Sequence, residues 1–476
     1  MIRHSELSYK RLLESLPSPL RHENIRQQIK EVNTQQKRKM IVLDDDPTGS
    51  QTVHNLFVLT SWDKEILRKA FNDSHFMFYI LTNTRSFNPE ETEAILREII
   101  RNVTAVAKEL DCSFSIINRG DSTLRGHYPL EIDVITDEIH RLSGEEFDGQ
   151  VIIPAFFEGK RYTYRDVHYI EEKDQLIPVS QTEFSKDKSF GFTESNLCKW
   201  IAEKTNGRIP ETSCLSISVE QIRKGPEKVL DLLLQTTGNQ PIIVNALCYE
   251  DLDTAAMALI KAEQQGKKFI YRTAASFVKS YGGVDDQPYL TKEEMVIGRD
   301  HNRGGLVIVG SHVKKTTNQL QQLLADSSLN AVEINVNHLL ENDKRDEEIN
   351  RINRMVHSAV ESGTTTVVYT SRELIYTTNR FDNLAISQRI SKALTDVIQS
   401  LTTAPKFIIA KGGITSSDIA TLGLEIKMAK VIGQAAPGIP VWLTGEEAKF
   451  SGVPYIIFPG NVGEDSTLLE IVLKLT

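Results

Sequence analysis

Three consecutive aspartates, Asp44 to Asp46, follow the apolar run from Met40 to Leu43. Like charges repel one another, so folding stability alone gives no reason to crowd them at the end of a buried strand. One aspartate could orient or deprotonate a substrate hydroxyl, while the others bind hydroxyls or lie near a magnesium ion. The alternative is a helix-capping cluster on a solvated loop, which suits Asp46 because Pro47 follows it.

Two further loops in the first half of the chain are rich in groups that bind small polar ligands. The loop "TNTRS" contains Arg85, and the loop "NRGDSTLRGH" contains Arg119, Asp121, Ser122 and Arg125. Arginine binds a carboxylate through two N–H groups, and aspartate or asparagine binds hydroxyls. The combination indicates a small polyhydroxylated acid. The alternative is that Asp121 and Arg125 only pair with each other, since exposed ion pairs are common and weak.

Two glycine turns in the second half of the chain have the composition of phosphate-binding loops. The segment "KGGITSSD" contains Gly412 and Gly413, and "VGSHVKKTTNQ" contains Gly310 and Ser311. We expect a helix to begin near Ser417 and to direct its free N–H groups at a phosphate. The alternative is that both turns only connect a strand to a helix. No GxxxxGK[ST] occurs, so neither turn is a Walker A loop, and no GxGxxG follows a strand, which disfavours a dinucleotide fold of the usual type.

These loops follow short apolar runs, and a segment with helical periodicity comes after most of them. Runs such as "FMFYIL", "QVIIPA" and "LVIVG" are apolar at nearly every position, which is typical of parallel strands covered by helices on both faces. Ligands bind such sheets at the carboxyl ends of the strands. The predicted fold class is α/β, with two domains, each a mostly parallel sheet flanked by helices, and a cleft between them.

The length of 476 residues also favours two domains. Residues 281–305 are rich in glycine and have no sustained apolar period, which predicts a linker. We expect an N-terminal helical extension over residues 1–36, a substrate domain over 37–290 and a nucleotide-binding domain over 300–476. The aromatic and charged stretch at about 156–210 is predicted to be an insertion in the first domain.

Charge and composition exclude several classes of partner. The net charge of -9 argues against a nucleic-acid partner, which would require a basic face. No apolar run is long enough to span a membrane, and the charged N-terminal stretch lacks the apolar core of a signal peptide. The four cysteines include no CxxC pair, which suits reduced thiols and excludes a cysteine zinc site. We therefore expect a cytoplasmic protein whose partners are small molecules. The oligomeric state stays open, with a homodimer as one candidate.

The chain resembles the four-carbon acid sugar kinase family, ATP-dependent kinases of acids such as threonate, erythronate and 3-oxo-tetronates. The resemblance runs in the same order from about Lys39 to the C-terminus. It rests on the segments "DDDPTGSQTVH", "TNTRS", "RGDSTLRGH", "VGSHVKKTTNQ", "KGGITSSD", "APGIPVW" and "FPGNVGEDS". It implies a first domain that binds the sugar acid and a second domain that binds ATP with Mg²⁺.

The resemblance, together with the loops above, predicts two sets of site residues. The substrate set comprises Asp44, Asp45, Arg85, Arg119, Asp121, Ser122 and Arg125. The ATP set comprises Ser311, Gly412, Gly413, Ile414, Thr415 and Gly460. Asp45 and Asp121 are the candidates for the catalytic base, and no metal ligand is assigned. Many relatives have "DDLTGA" at the acidic turn and a lysine before the "DST" element, so the substrate need not be a characterised four-carbon acid.

Two other functions stay open at this point. Asp44 and Asp46, with Thr48, match the DxDx[TV] opening of haloacid-dehalogenase-type phosphatases, in which the first aspartate is the nucleophile. That family also needs later motifs within the same domain, and the nearest paired acids, Glu464 and Asp465, lie beyond the predicted linker. A non-catalytic sugar-acid-binding protein is the other alternative, although it would not need a second domain with phosphate-binding turns.

Overall fold

The computed structural model describes residues 7–296, 298, 300, 302–372 and 380–476. The chain forms two compact units. The first contains Met1–Val53 and Ser61–Asp286, and the second contains His54–Thr60 and Gln287–Thr476. The chain therefore passes between the units after Val53, after Thr60 and after Asp286, because residues 54–60 belong to the second unit.

The first unit contains a seven-stranded parallel sheet. Its strands are apolar and largely buried, as expected when helices cover both faces. In chain order they are β1 (Arg38–Asp44), β3 (Met77–Leu81), β4 (Ser113–Arg119), β5 (Gly149–Ile153), β9 (Leu215–Ile217), β10 (Gln240–Val244) and β11 (Phe269–Thr273). The order across the sheet is β3-β1-β4-β11-β5-β10-β9.

Helices follow most of these strands. The longest, α4, begins with a capping box in which Asn88 and Glu91 each bind the other's backbone N–H, and Pro89 occupies its first position. The helices of this unit are α1 (Tyr9–Ser15), α2 (Ile25–Gln35), α3 (Lys64–Asn72), α4 (Pro89–Glu109), α5 (Leu130–Ser143), α6 (Leu197–Lys204), α7 (Val219–Ile222), α8 (Pro226–Leu233), α9 (Tyr249–Gln264) and α10 (Ala275–Tyr281).

The stretch predicted as an insertion contains a separate antiparallel sheet of three strands. They are β6 (Arg161–Tyr164), β7 (Val167–Glu172) and β8 (Gln175–Pro178). Backbone hydrogen bonds join Thr163 to Ala246, in the loop after β10. The His168 side chain contacts the loop after β4. The small sheet therefore packs over the carboxyl ends of strands in the large sheet, where ligands of parallel sheets bind.

The second unit contains an eight-stranded sheet that is parallel in one part and antiparallel in the other. The strands are β2 (Leu56–Leu59), β12 (Leu306–Val309), β13 (Asn330–Ile334), β14 (Thr366–Thr370), β15 (Ile408–Lys411), β16 (Met428–Ala436), β17 (Ile439–Thr444) and β18 (Pro454–Phe458). The order across the sheet is β13-β14-β12-β15-β18-β17-β16-β2, with parallel pairing from β13 to β18 and antiparallel pairing from β18 to β2.

The helices of the second unit are α11 (Lys292–Met295), α12 (Lys314–Leu324), α13 (Val336–Leu340), α14 (Asn342–Glu361), α15 (Arg380–Ser400), α16 (Gly413–Asp418) and α17 (Thr467–Leu475). The stretch predicted as a linker is partly helical, since Tyr281 ends α10 and Lys292 begins α11. Its residues Ile297, Arg299 and His301 lie outside the described residues, as do residues 1–6 of the predicted extension.

The fold class is confirmed: the chain has two α/β units whose sheets are mostly parallel and flanked by helices. In the part of the chain that the structure describes, no helix combines the length and apolar character needed to cross a bilayer.

Candidate functional site

The alignment of three parallel strands brings the predicted substrate loops together. In the register of the sheet, Asp44 at the end of β1 lies beside Leu81 of β3 and beside Arg119 of β4. The acidic turn, the loop that contains Arg85 and the loop after Arg119 therefore start at the same edge. This convergence follows from the parallel pairing alone.

Arg119 neutralises two of the three aspartates. Its Nη1 donates hydrogen bonds to Oδ1 of Asp44 at 3.1 Å and to Oδ1 of Asp45 at 3.2 Å. All three side chains are buried, with 4% of Arg119 exposed. A buried ion pair needs close geometry to offset the loss of hydration, and this arrangement supplies it.

Arg85 lies among three carboxylates. Its Nε donates to Oδ2 of Asp45 at 3.1 Å, and its Nη2 donates to the other oxygen of the same carboxylate. Its Nη1 lies 3.6 Å from Oδ2 of Asp46 and 4.0 Å from Oδ1 of Asp121. The crowded aspartates are therefore held by two arginines, which removes much of the repulsion that their sequence positions imply.

Asp44 is covered by its own turn. A Cβ atom on Gly49 would lie 2.1 Å from Oδ1 of Asp44, so only glycine allows the backbone to approach the carboxylate this closely. Burial raises the pKa of Asp44 to about 7, although the charge of Arg119 opposes the rise. The Asp44 carboxylate is therefore not placed to attack a substrate.

Asp121 is more accessible than Asp44 or Asp45. Its side chain is 11% exposed, compared with 1% for Asp45. Arg125 donates from Nε to Oδ2 of Asp121 at 2.7 Å, so these two residues pair, as the alternative interpretation of this loop requires. Burial opposes ionisation, but Arg85 and Arg125 outweigh it and hold the pKa of Asp121 well below its usual range. Asp121 is therefore a carboxylate at any physiological pH.

Two further arginines beside this cluster have no carboxylate partner among the described residues. Arg272, 1% exposed, projects from β11, and only its Nη2 is hydrogen-bonded, to the Arg125 carbonyl at 3.1 Å. Arg161 of β6 donates from Nη1 to the Gly159 carbonyl at 2.7 Å, and its Nε has no partner. Burial lowers the pKa of both guanidinium groups, which nevertheless remain charged.

His168 connects the small antiparallel sheet to the substrate loop. Its Nε2 lies 2.7 Å from the Ser122 carbonyl, and its Nδ1 lies 3.0 Å from the Thr163 hydroxyl. Because a carbonyl only accepts, Nε2 carries the proton and Nδ1 accepts from Thr163. Burial lowers the pKa of His168 to about 4, and the charges of Arg161 and Arg272 act in the same direction. The imidazole is therefore neutral and fixes the position of the Ser122 backbone.

In the second unit, the loops after three neighbouring strands also meet. The register places Lys411 beside Val309 and beside Phe458, so the predicted turns and the loop at Gly460 begin at one edge. A Cβ atom on Gly460 would lie 3.4 Å from Oγ of Ser311, and Thr316 donates from Oγ1 to the Gly460 carbonyl at 3.1 Å. We call this group of loops the glycine cradle: residues 310–316, 412–415 and 459–460.

The helix expected near Ser417 begins earlier, which corrects that prediction. The backbone of Gly412 has φ +117°, a conformation that residues with a side chain rarely adopt. Helix α16 begins directly after it, at Gly413. The Thr415 side chain is buried within the cradle, where a Cβ atom on Gly412 would lie 3.4 Å from its Oγ1. Ile414 instead is 65% exposed, and Gly413 contributes backbone only.

The lysine in front of the glycine pair is fully buried. Lys411 donates from Nζ to the carbonyls of Pro459 at 2.6 Å and Gly460 at 3.3 Å, and Nζ lies 3.9 Å from the centre of the Phe458 ring. Burial lowers the pKa of Lys411 to about 7, and the charge of Lys315 adds to the effect. Four residues at these two sites were not among the predicted site residues: Arg161, His168, Arg272 and Lys411.

The sequence did contain a signal for two of these four residues. Arg272 in "KKFIYRT" and Lys411 in "KFIIAK" are charged residues at the carboxyl ends of otherwise apolar strands. Arg161 and His168 lie in the weakly periodic insertion, whose path over the large sheet cannot be read from the sequence. Among the described residues, no group of three or more histidine, cysteine, aspartate or glutamate side chains could hold a metal ion.

Comparisons with known proteins match the two halves of the chain to two different domain families. Two family models match: a sugar-binding N-terminal domain over residues 40–281 and a nucleotide-binding C-terminal domain over residues 306–468. No curated protein matched the sequence.

Two solved structures share the fold at low sequence identity. A Salmonella typhimurium LT2 protein, provisionally described as a tRNA synthase, is 16% identical with a TM-score of 0.68, and the match covers 90% of this chain and 98% of that chain. Haemophilus influenzae protein HI1011 is 17% identical with a TM-score of 0.62, and the match covers 92% of this chain and 100% of that chain. With the two domain matches spanning most of its length, the chain belongs to the four-carbon acid sugar kinase family.

Proposed function

We propose that this protein transfers the terminal phosphoryl group of ATP to a hydroxyl of a small sugar acid, either a four-carbon acid or a related aldonate. The observation that carries the proposal is the pair of guanidinium groups, Arg161 and Arg272, that lack carboxylate partners beside the ion-paired aspartates. Buried charges in proteins are normally paired. A carboxylate on the ligand would supply the missing negative charge, and the carboxylates of the site would bind its hydroxyls.

Asp121 is the better placed of the two predicted base candidates. Both oxygens of Asp45 accept hydrogen bonds from Arg85, and Oδ1 also accepts from Arg119. Asp121 has the more exposed carboxylate. Its lowered pKa makes it a weak base, but phosphoryl transfer proceeds through a loose transition state in which positioning of the hydroxyl matters most. We therefore assign to Asp121 the orientation of the hydroxyl and late acceptance of its proton, and to Asp45 the anchoring of both arginines.

The glycine cradle would hold the phosphates of ATP. A side chain at Gly412 or Gly460 would crowd the Ser311 side chain, and the hydroxyls of Ser311 and Thr316 line the same place. Mg²⁺ would enter with the nucleotide, coordinated by its phosphates, and would neutralise charge on the transferred group.

The phosphatase alternative is not supported. It requires Asp44 to reach a phosphoryl group, yet this carboxylate is buried under Gly49 and bonded to Arg119. A purely sugar-acid-binding role would leave the nucleotide-binding domain without a purpose.

The proposed function predicts strict dependence on the substrate carboxylate. Incubation with MgATP and a panel of tetronic and pentonic acids should release ADP and yield an acid heavier by one phosphate, measured by mass spectrometry. The matching neutral polyols should react at least about 100-fold less efficiently, because an unpaired buried charge penalises a ligand that lacks the counter-charge. Equal kcat/KM for an acid and its polyol would contradict the role given to Arg161 and Arg272.

A second prediction concerns the cradle. Gly460→Ala should weaken ATP binding by about tenfold or more, since the added methyl group enters the space for the phosphates. The contacts of the new Cβ atom begin at 3.4 Å, so the protein itself can accommodate it. Calorimetry with ATP and thermal unfolding would check both statements. Unchanged ATP affinity in a folded variant would place the nucleotide elsewhere.

A further inference from the structure

Lys411 has a buried amino group, and no anion in the part of the chain that the structure describes is bonded to it to balance the charge of its protonated form. The residue is 0% exposed, and the partners of Nζ are two carbonyl oxygens and the face of Phe458. Carbonyls and an aromatic ring stabilise a cation only in part. Burial of an ammonium group without a counter-ion is unfavourable, so this position asks for an explanation beyond stability.

The location of Nζ indicates which anion would balance it. Nζ is 3.3 Å from the Gly460 carbonyl, and Thr316 donates to that same carbonyl, so the lysine lies directly beneath the glycine cradle. Four other charged or titratable groups lie at the cradle: Lys315 on α12, its partner Asp465 at 3.4 Å in the loop after β18, Arg372, which donates to the Ser311 carbonyl at 2.9 Å, and His312, 3.1 Å from the Ser371 carbonyl. Lys315 repels the ammonium group, and Asp465 is already paired with Lys315.

We propose that Lys411 supplies the positive charge that binds the nucleotide phosphates from below the cradle. This inference rests on the proposed function to the extent that a nucleotide occupies the cradle. The competing explanation is mechanical: the lysine would only hold the Pro459–Gly460 backbone in place. The two explanations differ in whether the effect of the lysine depends on the charge of the ligand.

The variant Lys411→Met separates them, because methionine keeps an unbranched apolar chain and removes the charge. We expect the affinity for ADP and for a non-hydrolysable ATP analogue to fall about 10- to 100-fold, the range for one charge pair in a partly desolvated site. The affinity for adenosine, measured by ligand-observed NMR, should be unchanged. An equal loss for adenosine and ADP, or no loss for either, would overturn the proposal.

Lys406→Met provides the matched control. Lys406 lies just before β15, at the end of the strand opposite Lys411, is largely buried, and donates to the backbone oxygen of Thr476 at 3.0 Å. Its removal should leave ADP and adenosine affinity unchanged. A loss of ADP affinity equal to that of Lys411→Met would mean that the loss of any buried lysine at either end of β15 acts through folding, and would overturn the proposal.

A measurement of proton uptake on ADP binding tests the proposal with the wild-type protein, and so does not depend on the folding of the variant. With a pKa of about 7, Lys411 is mostly neutral at pH 8 without ligand, and a neighbouring phosphate would raise that pKa. Binding of ADP at pH 8 should therefore take up close to one proton, and ADP affinity should fall as pH rises above 7. Calorimetry in two buffers of different ionisation enthalpy measures the uptake. Binding without uptake would overturn this inference alone, whereas no binding of any nucleotide would overturn the proposed function as well.

Discussion

Replacement of Asp121 by asparagine is expected to lower kcat by about 10²- to 10⁴-fold, the usual contribution of a positioned acid–base group. Asparagine has nearly the same shape and can still accept from Thr123 and Arg125, so the loop should keep its conformation. It cannot accept the hydroxyl proton. ATP affinity should not change, because the nucleotide contacts belong to the other domain. Steady-state kinetics with the best sugar acid, together with ATP calorimetry, would measure both effects.

Asp187→Asn is the matched control for this experiment. Asp187 is the second carboxylate near Arg125, at 3.7 Å from its Nη1, and its side chain is partly exposed. Its loss should change kcat by less than about threefold, since exposed ion pairs contribute little. If Asp121→Asn retained near-normal kcat, Asp121 would not be the base, and the more exposed Asp46 would take its place as the candidate.

Asp45→Asn is expected to destabilise the first unit by about 3–5 kcal/mol, because it removes one charge from a buried network and leaves another uncompensated. Arg85 and Arg119 both donate to this carboxylate. For a unit of this size, each kcal/mol of lost stability lowers the unfolding midpoint temperature by roughly 2–4 °C. Turnover should also fall, since both arginines lose their anchor. Circular dichroism melting and the kinase assay would measure the two effects.

Asp46→Asn is the matched control, because it should perturb the same turn less than Asp45→Asn does. Asp46 is 19% exposed, and its Oδ1 accepts from the backbone N–H and hydroxyl of Thr48, which asparagine can also satisfy. The expected loss is no more than about 1 kcal/mol. Equal destabilisation by both variants would contradict the division between a buried anchor, Asp45, and a solvated neighbour.

From the sequence, the loops that form the candidate sites could be predicted better than the roles of individual side chains in them. Apolar strands and the polar loops after them predicted two parallel sheets, and parallel pairing alone brings the loops together. The sequence could not show that Asp44 and Asp45 are more deeply buried than Asp121. That difference depends on Gly49 and Gly126, whose backbones approach Asp44 and Asp45 through turns that only the folded chain defines.

Two strands of the second unit, β2 and β16, are hard to predict from the sequence, for different reasons. In β16 buried and partly buried residues alternate, so its apolar signal is half that of a fully buried strand. The four apolar residues of β2 were visible, but their partner lies near the other end of the chain. Local patterns indicate that a strand exists, whereas a pairing between distant segments must be read from the structure.

The position of β2 also matters for the synthesis of the protein. Leu59 pairs with Met428, so this strand leaves the ribosome long before that partner exists. Until then, four consecutive apolar residues with unsatisfied backbone groups are available to other chains, a known route to aggregation. A gene cut between the two domains would therefore leave this strand on the wrong fragment. Recombinant production of the nucleotide-binding half should succeed only when residues 54–60 are supplied with it, for example as a fused strand or a synthetic peptide.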